Sequence, residues 1–137
     1  MSNSRKAQNL TSALCPCGAG AYSACCQPFL QAEKVPPTAL QLMRSRYSAY
    51  VLGLEPYLLA TWHVSTRPAS LDLNEQEPSK WLGLEVKRSV ENGDVAEVEF
   101  VARYKHKGGP AHRMHEISQF VKENGHWFYV DGDLKSQ

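Results

Sequence analysis

From Thr38 onward the apolar positions fall at helical spacing. Leu40, Met43, Tyr47, Tyr50 or Val51, and Leu54 define one face suited to burial. Thr38 is the expected N-cap and Gly53 the expected stop. Pro56 suits the first turn of a second helix, 55–62, with Leu58, Leu59 and Trp62 on its apolar face, and Pro68 keeps the following chain out of helix. Beyond Lys80 the period changes to two. Leu82, Leu84 and Val86 mark one strand. Ala96, Val98, Phe100, Ala102 and Tyr104 alternate with Glu97, Glu99 and Arg103 in the next. Asn92-Gly93, Gly108-Gly109-Pro110 and Asn124-Gly125 are turn signals, so the pattern predicts a meander of strands at 80–90, 94–107, 111–123 and 126–132.

Register follows from matching apolar faces. A three-residue loop, Glu91-Asn92-Gly93, puts Leu84 opposite Phe100 and Val86 opposite Val98; a two-residue Asn92-Gly93 loop would set Leu84 against Val101 and Val86 against Glu99. The three-residue loop is therefore expected. A two-residue loop at Asn124-Gly125 pairs Phe120 with Tyr129 and Ser118 with Asp131. Two helices followed by an antiparallel meander predict an α+β domain over 38–134, its helices packed on one face of a four-stranded sheet. Ahead of it, 1–14 reads as a polar, flexible tail. Residues 15–34 read as a separate small unit with a short helix from near Ser23 to Gln31, joined to the domain through a hinge at Pro36 and Pro37. Residues 69–79 read as a polar loop.

The chain has 137 residues, enough for one core with a small appendage. Fifteen Lys and Arg against fourteen Asp and Glu leave a net charge of +1, which argues against a large nucleic-acid footprint. No apolar run has bilayer-spanning length, and the first fourteen residues lack the apolar segment of a secretory signal, so a cytoplasmic location is expected. There thiols stay reduced, and a cysteine cluster reads as a metal site rather than a disulfide framework.

All four cysteines lie in one run, CPCGAGAYSACC: Cys15, Cys17, Cys25 and Cys26. Four thiolates converging on one point suit a tetrahedral Zn2+ ion, and a closed four-sulfur shell leaves no open position for substrate. Gly18 and Gly20 let the backbone turn sharply, and Cys25-Cys26 would sit at the positive end of a short helix.

Cys15, Pro16, Cys17, Gly18, Gly20, Tyr22, Cys25 and Cys26 resemble the SEC-C motif, the small zinc knuckle at the C-terminus of the SecA motor. Two features depart from that motif: seven residues separate Cys17 from Cys25 where it usually has eight, and Ala19, Ala21 and Ala24 stand in a region usually rich in lysine. The resemblance extends to LMRSRYSAYVLG (42–53), YLLATWHVSTRP (57–68), VEFVARY (98–104), HRMHEISQF (112–120) and WFYVDG (127–132), which are similar to the YchJ-like family. That resemblance implies a SEC-C knuckle followed by a cone-shaped α+β domain of the nuclear-transport-factor-2-like (NTF2-like), cystatin-like class, with a curved sheet wrapped around a pocket. It implies no established activity.

For pocket chemistry the candidates are His63, Arg67, Glu116 and Asp131. Glu116 and Asp131, diagonal to each other on one face across the last hairpin, could raise one pKa and form an acid/base pair; His63 could shuttle a proton and Arg67 hold a carboxylate or phosphate. The simpler reading makes Arg67 a structural partner of Glu116 or Asp131 and His63 a helix-end cap. Arg44 and Arg46 read as a solvated face, and His106 and His126 as exposed turn residues. Two functions follow. One is a zinc-binding adaptor that docks a protein partner. The alternative is a small-molecule binder or enzyme using the cone pocket. The open sheet face leaves a homodimer as a further expectation.

Overall fold

In the computed structural model, which describes residues 13–71, 73 and 80–135, the chain forms an α+β fold. The expectations for 1–12, 72 and 74–79 lie outside the described residues. A 3-10 turn at Tyr22–Ala24 leads to helix α1 (Gln27–Leu30); α2 (Ala39–Leu52) and α3 (Glu55–Ala60) follow, then strands β1 (Lys80–Asn92), β2 (Val95–Lys105), β3 (Ala111–Glu123) and β4 (His126–Leu134). The strands pair in sequence order as one antiparallel sheet.

Helix α2 begins where expected. The Thr38 hydroxyl accepts from the Gln41 N–H at 3.1 Å, and the Glu91 carboxylate at the end of β1 accepts from the Ala39 N–H at 2.9 Å, so two of the orphan donors of the first turn are satisfied. Gly53 ends it in the left-handed conformation, φ +71°. The helix is buried over a wider arc than its apolar stripe: Ser45, Arg46 and Ser48 are buried alongside Leu42, Met43 and Tyr47. Ser45 is satisfied by nearby groups. The Ser45 hydroxyl donates to the Leu42 carbonyl at 2.7 Å and lies 2.6 Å from the Tyr57 hydroxyl. Arg46 is thus corrected from a solvated to a buried residue. Helix α3 is shorter than expected, ending at Ala60, and its exit is tied to the sheet: the His63 N–H donates to the Tyr129 carbonyl and the Tyr129 N–H to the Thr61 carbonyl.

The first hairpin differs from expectation. Its loop is two residues, Gly93-Asp94, with Asn92 opposite Val95. Gly93 takes φ +67° at the first central position, the requirement of a tight hairpin turn of the II′ kind. Near the turn this register would set β1 out of phase with β2. A bulge at Lys87 corrects it, so Leu84 faces Ala102 and Val86 faces Phe100. The apolar faces do align, through a bulge and not through a longer loop. A second bulge, at Leu82, bends the same strand. In the last hairpin Phe120 faces Tyr129 as expected, but the register shifts between Gln119 and Phe120. Val130 becomes the extra residue, Ser118 pairs with Gly132, and Asp131 pairs with Gln119.

The inner sheet face supplies Ala96, Val98, Phe100, Ala102 and Phe120 to a core closed by Leu42, Met43 and Tyr47 of α2. Fully burying side chains such as Leu42, Val98 and Phe120 contributes roughly 1.5–3 kcal/mol each. Cys15, Cys17 and Cys26 belong to this same cluster. The outer face carries ion pairs of Arg88 with Glu97 at 3.1 Å and Glu99 at 3.5 Å, and a hydrogen bond between His115 and Glu99 at 2.7 Å.

Candidate sulfur site and cone cavity

The sulfur site is built by two short pieces of backbone. Leu14 bridges Ala21, the Cys15 N–H donates to the Gly20 carbonyl at 2.7 Å, and the Gly18 N–H donates to the Cys15 carbonyl at 2.9 Å. Gly18 makes this reversal at φ +84°, which an L side chain rarely adopts. The 3-10 turn then delivers Cys25 through its N–H bond to the Tyr22 carbonyl, and Cys26 caps α1. The four Sγ atoms lie within 4.8 Å of one another. The separations Cys17–Cys25, Cys17–Cys26 and Cys25–Cys26 are 3.4, 3.8 and 3.9 Å. A tetrahedron of sulfurs ~2.3 Å from a central ion has edges of ~3.8 Å, so the donor set fits a tetrahedral thiophilic metal ion. The seven-residue spacing therefore still brings all four sulfurs together.

Four thiols this close cannot all ionise without a cation. Hydrogen bonding from Cys26, foremost, holds Cys17 down to about 4, while burial and the charge on Cys17 push Cys25 up to about 12. Cys26 is raised as well, by its hydrogen bond to Cys17 and by burial. A divalent ion at the centre reverses that sign and lets every thiol bind as thiolate. Helix α2 holds the site from beneath: the Arg44 guanidinium donates to the Cys17 carbonyl at 3.2 Å, and the Ser48 hydroxyl lies 3.5 Å from Cys15 Sγ. Arg44, too, is a contact residue and not part of a free face.

The second feature is a cavity of about 400 Å³ between α2 and the sheet. Met43, Tyr47 and Tyr50 wall it from the helix; Trp81, Phe100, Tyr104, Met114 and Phe120 wall it from the sheet. Its polar residues are Arg46, Glu116, Ser118 and Tyr129, with the exposed His106 also in its lining. Arg46 is only 6% exposed. One of its terminal nitrogens donates to the Leu58 carbonyl and the Thr61 hydroxyl, both at 2.7 Å. Its guanidinium lies 4.5 Å from the Tyr129 ring centroid and 5.1 Å from that of Trp62. The Ser118 hydroxyl donates to the Glu116 carboxylate at 2.6 Å. Burial pushes the Glu116 carboxyl above the usual range, only partly offset by that bond and by Arg46. Gly132 makes room for it: a Cβ built there would overlap the Glu116 carboxylate.

Of the four pocket candidates the structure brings Glu116 alone into the cavity. The bulge at Val130 turns Asp131 to the exposed side, opposite Gln119. His63 pairs outside with Glu123 at 2.8 Å and with the Ser65 hydroxyl at 2.7 Å. The Arg67 Nε–H donates to the Trp62 carbonyl at 3.0 Å, closing its own turn without reaching Glu116 or Asp131. The residue missed is Arg46. Its signal was its position in the stripe Met43, Arg46, Tyr47, Tyr50, a single cation at i+3 spacing among residues bound for the core.

The curved four-stranded sheet, the covering helices and the cysteine cluster together define an NTF2-like α+β domain carrying a SEC-C-type cysteine motif. The family model for the YchJ middle NTF2-like domain matches residues 38–132. The chain belongs to the YchJ-like family. A UPF0225 protein from Ralstonia nicotianae is 55% identical over 133 residues, covering 89% of this chain and 92% of its own. Another from Chromobacterium violaceum is 55% identical over 132 residues, covering 93% and 97%. Among solved structures, a SEC-C motif containing protein from Rhodopseudomonas palustris aligns at TM-score 0.81 and 36% identity, over 90% of this chain and 100% of that one. A SEC-C motif containing protein from Psychrobacter arcticus aligns at TM-score 0.74 and 29% identity, over 93% and 86%. Among the described residues, no helix is long and apolar enough to cross a membrane.

Proposed function

We propose that the sulfur site is a structural zinc centre and that the cone cavity is the working site, which makes the protein a zinc-stapled receptor for a small molecule. Cys15, Cys17, Cys25 and Cys26 would hold the zinc, which would supply cross-linking and charge neutralisation and no reactive position. The observation that carries the reading is the contrast between that closed, core-embedded donor set and an open aromatic cavity with a buried cation in its wall. Such a cavity, mostly apolar with a few placed polar groups, is the usual form of a small-molecule site.

A fragment screen read by methionine methyl resonances tests it. Met43 and Met114 line the cavity, and only three methionines exist in the chain. Hits that shift both methyls support the reading; hits that leave both unmoved count against it. Protein docking beside the zinc site is a second reading. It draws on a shallow groove of about 610 Å³ lined by Ala24, Cys25, Pro28, Phe29, Val35 and Leu40, where Val35 is 49% exposed. Affinity capture lost in a Val35→Asp variant that keeps its metal would favour it.

A further inference from the structure

Arg46 has five N–H donors, and its two known hydrogen bonds both leave from one nitrogen. The Nε–H and the other terminal nitrogen have no hydrogen-bond partner among the described residues. No carboxylate among those residues lies within ion-pair distance of the guanidinium either. Glu116 is close enough to interact with it electrostatically, but the two make no ion pair. A cation that is 94% out of solvent, held by neutral carbonyl and hydroxyl groups and two rings, is left with half a fork of donors beside open volume. Its natural complement is a planar oxyanion that accepts two parallel N–H bonds.

We infer that the cavity binds a small apolar carboxylic acid, its carboxylate received by the free N–H groups of Arg46 and its body packed among Tyr47, Trp81, Phe100 and Phe120. This deepens the receptor reading above and rests on it. Charge sets the class. A single guanidinium neutralises a single carboxylate, whereas a phosphate dianion would leave one negative charge uncompensated, since no second Lys or Arg is among the described lining residues. An ammonium group would meet an unscreened like charge. Burial raises the Glu116 carboxyl, which favours, relative to an exposed glutamate, the uncharged form that can donate a hydrogen bond to a bound carboxylate. Aromatic walls suit a flat body: Tyr47 meets Trp81 edge-on at 5.6 Å, and Tyr104 lies 5.8 Å from Trp81.

The test uses the full chain with its metal and three probes of one shape: phenylacetate, phenylacetamide and phenethylamine, each at up to millimolar concentration. Calorimetry and the Met43 and Met114 methyl shifts are read together. Phenylacetate should bind at least about tenfold more tightly than the amide, with the amine weakest, and should move both methyls. Arg46→Met should erase the preference for the acid while keeping amide binding; Arg46→Lys, which keeps the charge without the fork, guards against a variant that fails to fold and should lose most of it too. Equal or tighter binding of the amide or amine, with both methyls shifting, would overturn the carboxylate class and leave the receptor reading standing. No shift at either methyl with any probe would overturn both.

Discussion

The sulfur site and the cone cavity sit on opposite sides of one helix and solve opposite problems. At the sulfur site the four donors converge on one centre, three of them buried and Cys25 partly so. In the cavity Arg46 and Glu116 make no ion pair and share a space they do not fill. A closed donor set can only hold; an incomplete one can receive. Helix α2 serves both, with Arg44 and Ser48 toward the sulfurs and Met43, Arg46, Tyr47 and Tyr50 toward the cavity. The knuckle is accordingly no appendage. Three of its cysteines share one packed cluster with the inner face of the sheet.

The largest effect should come from removing the metal. If the sulfur site staples the common core, Cys26→Ser or strong chelation lowers the stability of the whole chain, by on the order of 5 kcal/mol, in a single transition. Denaturant melts followed by tryptophan fluorescence check this, because Trp81 and Trp127 lie in or against that cluster. Two separate transitions, with the sheet unmoved, would restore the picture of a detachable knuckle.

On the cavity side, Arg46→Met takes from the Leu58 carbonyl and the Thr61 hydroxyl the donor they share, leaving Thr61 bonded to the Tyr57 carbonyl, and removes the cation from two rings. About 3 kcal/mol is expected. Arg44→Met, which loses a single bond to the Cys17 carbonyl, should cost about 1 kcal/mol. A pair of urea titrations gives both numbers, and reversed ranking would mean that the sulfur side bears more on α2 than the cavity side.

Next comes Gly132→Ala, expected to cost about 2 kcal/mol because the new methyl displaces the Glu116 carboxylate. Combined with Glu116→Ala the cost should fall well below the sum of the single changes, since the second substitution empties the contested space. Strict additivity in the double-mutant cycle would place the carboxylate elsewhere.

The smallest effect is a pH dependence. Glu116 is raised on folding, by burial before all else; Ser118 and Arg46 act the other way, and Asp131 adds slightly to the rise. Tyr50 and Tyr129 face the same space and are themselves raised by burial. A carboxyl raised on folding makes its full contribution below its ordinary value near 4.5 and loses it as pH climbs through the raised value. Wild type should therefore lose stability relative to Glu116→Gln between acid and neutral pH, and melting curves of the two should converge at the acid end. A gap of the opposite sign would mean an ionised, ion-paired Glu116.

Much of this molecule could be read along the chain because the relevant forces act locally. Twelve residues contain every sulfur ligand, so their convergence needs only one turn at Gly18 and one at Tyr22–Ala24. Thr38, Gly53 and the period-two runs mark α2 and the strands through capping, backbone freedom and pleat, none of which depends on distant partners. Tertiary structure alone decided the cavity. One unpaired residue, Val130, reverses the facing of Asp131 while leaving the alternation of the sequence untouched, because a bulge is chosen by what packs on the sheet and not by the strand itself. Arg46 could be buried only because Leu58, Thr61, Trp62 and Tyr129, up to 83 positions away, arrive to hold it, and no pattern within α2 records their arrival.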